Sequence, residues 1–482
     1  MTIYTLPETY EKLSDRYAVT CEGKPLSVVE TPVSAFPLNQ VWPGYQRPLE
    51  QTEPTCFVSL GVSGPFTLVI SPSVPFETVT VRPTAKHITP TVKDGNVTVD
   101  FPGVGQYSVE FDGMHEVLTV FADPEKDFGI DKTAGNVIYF GKGVSYLEEP
   151  LALDDGAVVY LDKEAVVYGA IVAKEKKNVR VCGCGILDNS LTERGKGAPM
   201  QFVRCENVSV EGVTVVDASA WSMHYAGCTN VVVDNIKLIG MWRYNSDGCD
   251  FTNCTNAVLK NSYLRNFDDC VVVKGLAGNG DKPVRNISVE HCVLWCDWGR
   301  ALEIGAETVA PYMTNIRFCD IDVIHGDSVM LDLQHGDRAE ISDVTFENVR
   351  VEYMAKANAP VLQTVKDEKY VNPDETYMPR LFVVSVQQTM WSHDKTAGNI
   401  RGVRFKDIAV YSEDGRVPVS VGEAVTAGGT VVPNGSVIYA DPDDSTVEDV
   451  RFENITVNGV RYTDLDSLHI TVGKNVKGVS IE

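Results

Sequence analysis

An asparagine, a run of alternating apolar residues and a turn recur along most of this 482-residue chain. The copies read NVRVCGCGILDNS, NVSVEGVTVVDAS, NVVVDNIKLIG, NAVLKNSYLRN, NISVEHCVLWC and NIRFCDIDVIHG. They are led by Asn178, Asn207, Asn230, Asn256, Asn286 and Asn315, at intervals of 23 to 30 residues. Looser copies follow at ISDVTFENVRVEY, NIRGVRFKDIAVY and VEDVRFENITVNG. Period-two alternation marks strands, and a unit this short buries its apolar face only by stacking on its neighbours. No helical 3.6-residue pattern intervenes. The expected fold is all-β: a right-handed parallel β-helix of roughly nine to eleven coils, with coils about 4.8 Å apart. The recurrent Asn is expected at the same turn of each coil, tolerating the left-handed conformation and bonding to backbone.

Residues 1–125 read differently. TCFVSLGV, FTLVISP, ETVTVRP, GNVTVDFPG, QYSVEFDG and EVLTVFADP are short strands punctuated by turn residues, the pattern of an N-terminal β-sandwich. The β-helix then occupies 126–482. It is interrupted at 352–398 by a stretch too long for one coil, and long insertions on a solenoid collect on one face, often the binding face.

The net charge of −24 disfavours nucleic acid and anionic membranes, which need a basic surface. The first twenty residues contain early acids and no apolar core of a signal peptide, so a cytoplasmic location is expected. The twelve cysteines then read as buried thiols. Cys205, Cys228 and Cys254 precede the repeated Asn and lack the pairing and His partners of a metal site.

The segment NSDGCDFTNCTNAVLKNSYLRNFDDCVVVKG carries Asp247, Asp250, Asp268 and Asp269. Asp247 and Asp269 are 22 residues apart, about one coil, which places Asp247 beside the Asp268–Asp269 pair. Adjacent strand residues point to opposite faces, so one of that pair must sit at a bulge or a strand end. Clustered carboxylates repel, and at least one pKa should rise. A protonated acid beside an ionised base is what glycosidic hydrolysis requires. Calcium binding is the rival chemistry, and turn capping the structural one.

NSDGCD followed by DDCVVVKG resembles the polygalacturonases, glycoside hydrolase family 28, whose pattern is NTDG-x-D and then DDC with a following Lys. WSMHYAGCTNV resembles the S-P-x-F-H segment of that family, and VRVCGCGILDNS its G-x-G-x-[IL]-D-G stretch. The resemblance implies a pectin-lyase-like solenoid and hydrolysis of α-glycosidic bonds in an oligosaccharide, with inversion, no cofactor and no metal. By it Asp268 is the general acid, while Asp247 and Asp269 activate the water. The pattern departs where G-H-G is expected: DWGRALEIGAE puts Arg300 in the His position. The R-I-K segment that grips a uronate has no clear copy, and LDLQHGDR with His335 occupies its region. The dextranase family shares NSDG, a later Asp pair and an amino-terminal β-sandwich, so a neutral α-glycan is the alternative substrate. A β-helix polysaccharide lyase or epimerase is another reading, which the aspartates fit poorly.

Further substrate contacts are expected from Arg300, which could instead pair with Glu303 or Glu307, from Lys274 after the DDC segment, and from Asp250 as support. His224 lines the cleft or sits in the core. His335, and Arg380 and Trp391 in the insertion, complete the set as anion and sugar-platform contacts.

Overall fold

The computed structural model describes all residues except 36–39, 42–48, 50, 51, 354–356, 359, 360, 363–375, 378, 413–422, 426–430 and 434. Much of the 352–398 insertion therefore lies outside the described residues.

Alternation builds the N-terminal part. Phe66–Pro72 buries every second residue, so one face of its sheet is apolar and needs a partner. Two sheets meet there, one of six strands and one of five. Tyr17, Leu68, Ile70, Val97 and Val99 from one sheet pack with Cys56, Val58, Leu118 and Val120 from the other, forming the expected sandwich. The strand Glu116–Pro124 is buried on both faces. Its outer face, with Phe57, packs onto Val166, Ile186, Val216, Ile239, Tyr263 and Trp295 of the solenoid. Buried polar contacts cross the same interface. Lys237 Nζ lies 2.8 Å from Asp123 Oδ1, Tyr10 donates to Asp188 at 2.9 Å, and His325 Nε2 lies 2.7 Å from Glu110.

From Val137 onward the strands form two sheets of nineteen and eleven strands, paired in parallel with the next coil apart from the antiparallel hairpin of Val447–Val457 and Val460–Tyr462. Inward side chains of successive coils stack. Phe318, Phe346, Phe405 and Phe452 form a column with ring centroids 4.8 to 5.0 Å apart. This is the coil spacing that backbone pairing imposes. Cys205, Cys228 and Cys254 are buried in the same core.

The recurrent Asn explains itself differently from expectation. Asn178, Asn207, Asn230, Asn256, Asn286 and Asn315 all have φ between 52° and 58°, a conformation Asn tolerates better than most residues. Their amides bond to one another rather than to backbone. From Asn207 on, each Nδ2 donates to the Oδ1 of the preceding coil at 2.8 to 3.0 Å. Stacking at coil spacing puts identical amides within reach.

The eleven-stranded sheet positions the acidic segment. Cys249–Thr252 pairs with Val271–Gly275 in the register Cys249↔Val271 and Asp250↔Val272. Val271–Gly275 pairs with Arg300–Thr308, which pairs with Val329–His335 and then Arg380–Val386.

Candidate active site

Asp247 sits on the bend immediately before Cys249–Thr252. The bend closes through Ser246 Oγ donating to Arg243 O at 2.6 Å. Gly248 follows because nothing larger fits: a Cβ there would meet Cys270 O at 2.2 Å. Its N–H donates to Asp269 O at 2.8 Å, which fixes Asp247 against the next coil. Asp268 and Asp269 lie between the strands Tyr263–Asn266 and Val271–Gly275. They form a corner between two sheets, and there consecutive residues escape strict alternation. Gly299 underlies that corner, where a Cβ would stand 2.6 Å from Asp269 N. All three carboxylates are buried.

Two cations organise them. Lys274, on the outer face of its strand, reaches Asp247 Oδ2 at 3.1 Å and Asp250 Oδ1 at 3.5 Å. It also lies 4.5 Å from the centre of the Trp221 ring. Arg300 opens the next coil. Its backbone N–H donates to Asp269 Oδ1 at 2.8 Å, and its guanidinium lies 3.5 Å from the same oxygen and 3.4 Å from Asp332 Oδ2. The expected pairing of Arg300 with Glu303 is present, at 4.0 Å.

The protonation states separate. Burial and the charges of Asp269 and Asp247 push Asp268 well above the usual carboxylate range. Burial also acts on Asp269, but Arg300, a hydrogen bond from Glu303 and Lys274 hold it below that range. Asp247 rises to about 6, by burial opposed by Lys274. Asp250 and Glu303 are pushed well up, chiefly by burial. Lys274 and Arg300 stay charged because carboxylates outweigh their burial. An acid and a base therefore sit side by side, the pairing that proton transfer in both directions requires.

His224 joins this group. It packs edge-on against Trp221 at 4.8 Å, in register with Asp250. Burial, with Lys274, lowers it to about 4, so it is a neutral imidazole, with Nε2 free of any hydrogen-bond partner. Arg380 begins the strand Arg380–Val386, two coils beyond Arg300 through Val329, or roughly 10 Å. Its charge reaches Asp332.

Two expected contacts lie elsewhere. His335 is fully buried, with Nδ1 2.8 Å from Thr308 Oγ1, so it does not face the cleft. Alternation is the reason: Leu331 and Leu333 point into the core, and His335 follows two residues on. Trp391 is half exposed, on the turn after Arg380–Val386, whereas the aspartates lie at the beginning of their strands. A strand of seven residues separates these ends by roughly 20 Å. That turn is pinned by Asp337, which accepts from His393 N at 2.6 Å and Asp394 N at 2.7 Å. Sequence reasoning did not select Glu303 or Asp332, the outward acids of RALEIG and LDLQ. A charged residue between two core leucines or isoleucines was the available signal.

Residues 186–390 match the model of the glycosyl hydrolases family 28, a span that contains Asp247, Asp250, Asp268, Asp269 and Asp332. An exopolygalacturonase of Arabidopsis thaliana is 28% identical over 161 residues, 31% of this chain and 35% of that protein. Polygalacturonase-2 of Solanum lycopersicum is 20% identical over 276 residues, 56% of this chain and 54% of that protein. These matches therefore span about a third to a half of the plant relatives. A probable rhamnogalacturonase E of Aspergillus flavus is 20% identical over 339 residues, 64% of this chain and 72% of that protein. Among solved structures, Dex49A from Penicillium minioluteum superposes with a TM-score of 0.69 at 14% identity, over 100% of this chain and 96% of that one, a likeness of fold through sandwich and solenoid alike. By its motifs and its family match, residues 186–390 of this β-helix are similar to the glycosyl hydrolases family 28.

Proposed function

We propose that the protein is an inverting glycoside hydrolase of α-linked oligosaccharides. The observation that carries this reading is the opposed protonation of Asp268 and Asp269, neighbours in one corner of the coil. Asp268 gives its proton to the departing glycosidic oxygen. Asp269 and Asp247, kept ionised by Arg300 and Lys274, orient a water and take its proton as it attacks the anomeric carbon from the opposite face. Lys274, Arg300 and His224 line the sugar's position, with His224 as a neutral hydrogen-bonding group and the buried Asp250 supporting Lys274.

Galacturonan-type glycans are the first substrate class, supported by the family match and by the names of the relatives. A specific observation favours a second class, neutral α-glycans: Lys274 already lies against two carboxyls and Arg300 against three, which leaves less positive charge for a uronate. Short oligosaccharides in a reducing compartment fit the free state of all twelve cysteines. Incubation with uronate and neutral α-linked di- and trisaccharides, with products identified by mass, separates the cases. Hydrolysis adds one water across the bond. An unsaturated uronate product would instead indicate a lyase and sink the proposal.

A further inference from the structure

The proposed reaction leaves one carboxyl beside Asp269 without a task. In the strand Arg300–Thr308, Leu302 and Ile304 pack into the core, and alternation turns Glu303 to the outer face. There it is in register with Val272 on the preceding coil and Asp332 on the following one. It is 1% exposed. The charged groups facing it are Asp269, Arg300 and Asp332, with Arg300 Nε 4.0 Å from Oε1. Its carboxyl and that of Asp269 flank one guanidinium, that of Arg300, at 4.0 and 3.5 Å, and its Oε2 has no hydrogen-bond partner among the described residues. Asp269 is faced in addition by Lys274, Asp268 and Asp247. Two carboxyls hydrogen-bond to each other only with a proton between them. Asp269, which also accepts from the Arg300 amide, is the better-supported anion.

We propose that Glu303 is a positioning residue whose carboxyl donates a hydrogen bond to Asp269, fixing that carboxylate and keeping it ionised to activate water. The assignment rests on Asp269 serving as a base. Burial and the charge of Asp269 push the Glu303 carboxyl well up, in line with its role as donor.

Infrared titration of the whole protein, without substrate, reads carboxyl protonation directly. At neutral pH the wild type should show a protonated-carboxyl C=O band that Glu303→Gln lacks. The carboxylate band assigned to Asp269 by its loss in Asp269→Asn should titrate at its wild-type pH in Glu303→Gln, whose amide still donates. In Glu303→Ala it should titrate about one unit higher. On a cleaved oligosaccharide Glu303→Gln should keep most of the kcat that Glu303→Ala loses, whereas a role in packing alone would leave the Asp269 titration unmoved in both variants. An unchanged protonated-carboxyl band in Glu303→Gln, or an Asp269 titration left in place by Glu303→Ala, overturns the assignment. Failure to cleave any glycan would count against the hydrolase reading and leave the infrared result to decide on Glu303.

Discussion

Asp268 and Asp269 are consecutive, equally buried and oppositely protonated, because Arg300 is spent on one of them. Its backbone and guanidinium both address Asp269, while Asp268 accepts only an Asn245 amide at 3.3 Å among the described residues. Replacing either residue, or Asp247, by Asn should cost on the order of 10²–10⁴ in rate. The acid is distinguishable. An activated aryl glycoside needs little protonation of its leaving group, so Asp268→Asn should regain most of its activity on one, and the other two should not. Rescue of Asp247→Asn alone would reverse the roles. The pH dependence follows from the same charges. Asp247 must be ionised to help activate water, so kcat/KM should fall as pH drops through about 6, where it takes a proton. Asp268 also bears on stability. Its folded carboxyl binds a proton more tightly than the unfolded chain does, so it costs stability as pH rises above the ordinary carboxylate value. Asp268→Asn should therefore melt higher than wild type at neutral pH, by roughly 1–2 °C, while losing turnover. An equal or lower melting temperature would show that the carboxyl is not strained.

The coil is the element on which these residues are registered, and much of it is legible in the chain. A 22-residue interval places Asp247 against Asp269 because backbone pairing fixes coil spacing, and the Gly248 N–H to Asp269 O bond realises it. The adjacency of Asp268 and Asp269 demanded a break in alternation, and the corner between sheets supplies one. Glu303 was legible as a partner of Arg300, three residues on in the same strand, but Asp332 was not, since it lies one coil away and meets the site only through Arg300. His335 was misplaced for the opposite reason: its proximity in sequence to Asp332 concealed a parity that sends it inward. The Asn column makes the coil testable on its own. Asn230→Ala removes two amide bonds and a residue suited to φ 56°. It should lower stability by about 1–2 kcal/mol in urea unfolding. Activity at a temperature where the variant is folded should be unchanged, and a large loss of turnover without loss of stability would contradict a purely architectural ladder.

At the scale of the molecule, the sandwich covers an apolar face of the solenoid. Its strand Glu116–Pro124 covers Val166, Ile186, Val216, Ile239, Tyr263 and Trp295, and Asp123 balances the fully buried Lys237. Asp123→Ala should cost about 3–5 kcal/mol by leaving that ammonium unpaired. Residues 126–482 expressed alone should aggregate; a soluble, fully active β-helix would show the interface to be dispensable. On the proposed assignment, with two ionised carboxylates on one side of the bond and a protonated one for its leaving oxygen, hydrolysis proceeds with inversion. Proton NMR of the first product formed from a cleaved α-linked oligosaccharide, recorded before mutarotation, reads it directly. The β-anomer should appear first, in the absence of added metal and in the presence of a chelator; the α-anomer appearing first would mean retention and contradict the assignment of Asp247, Asp268 and Asp269.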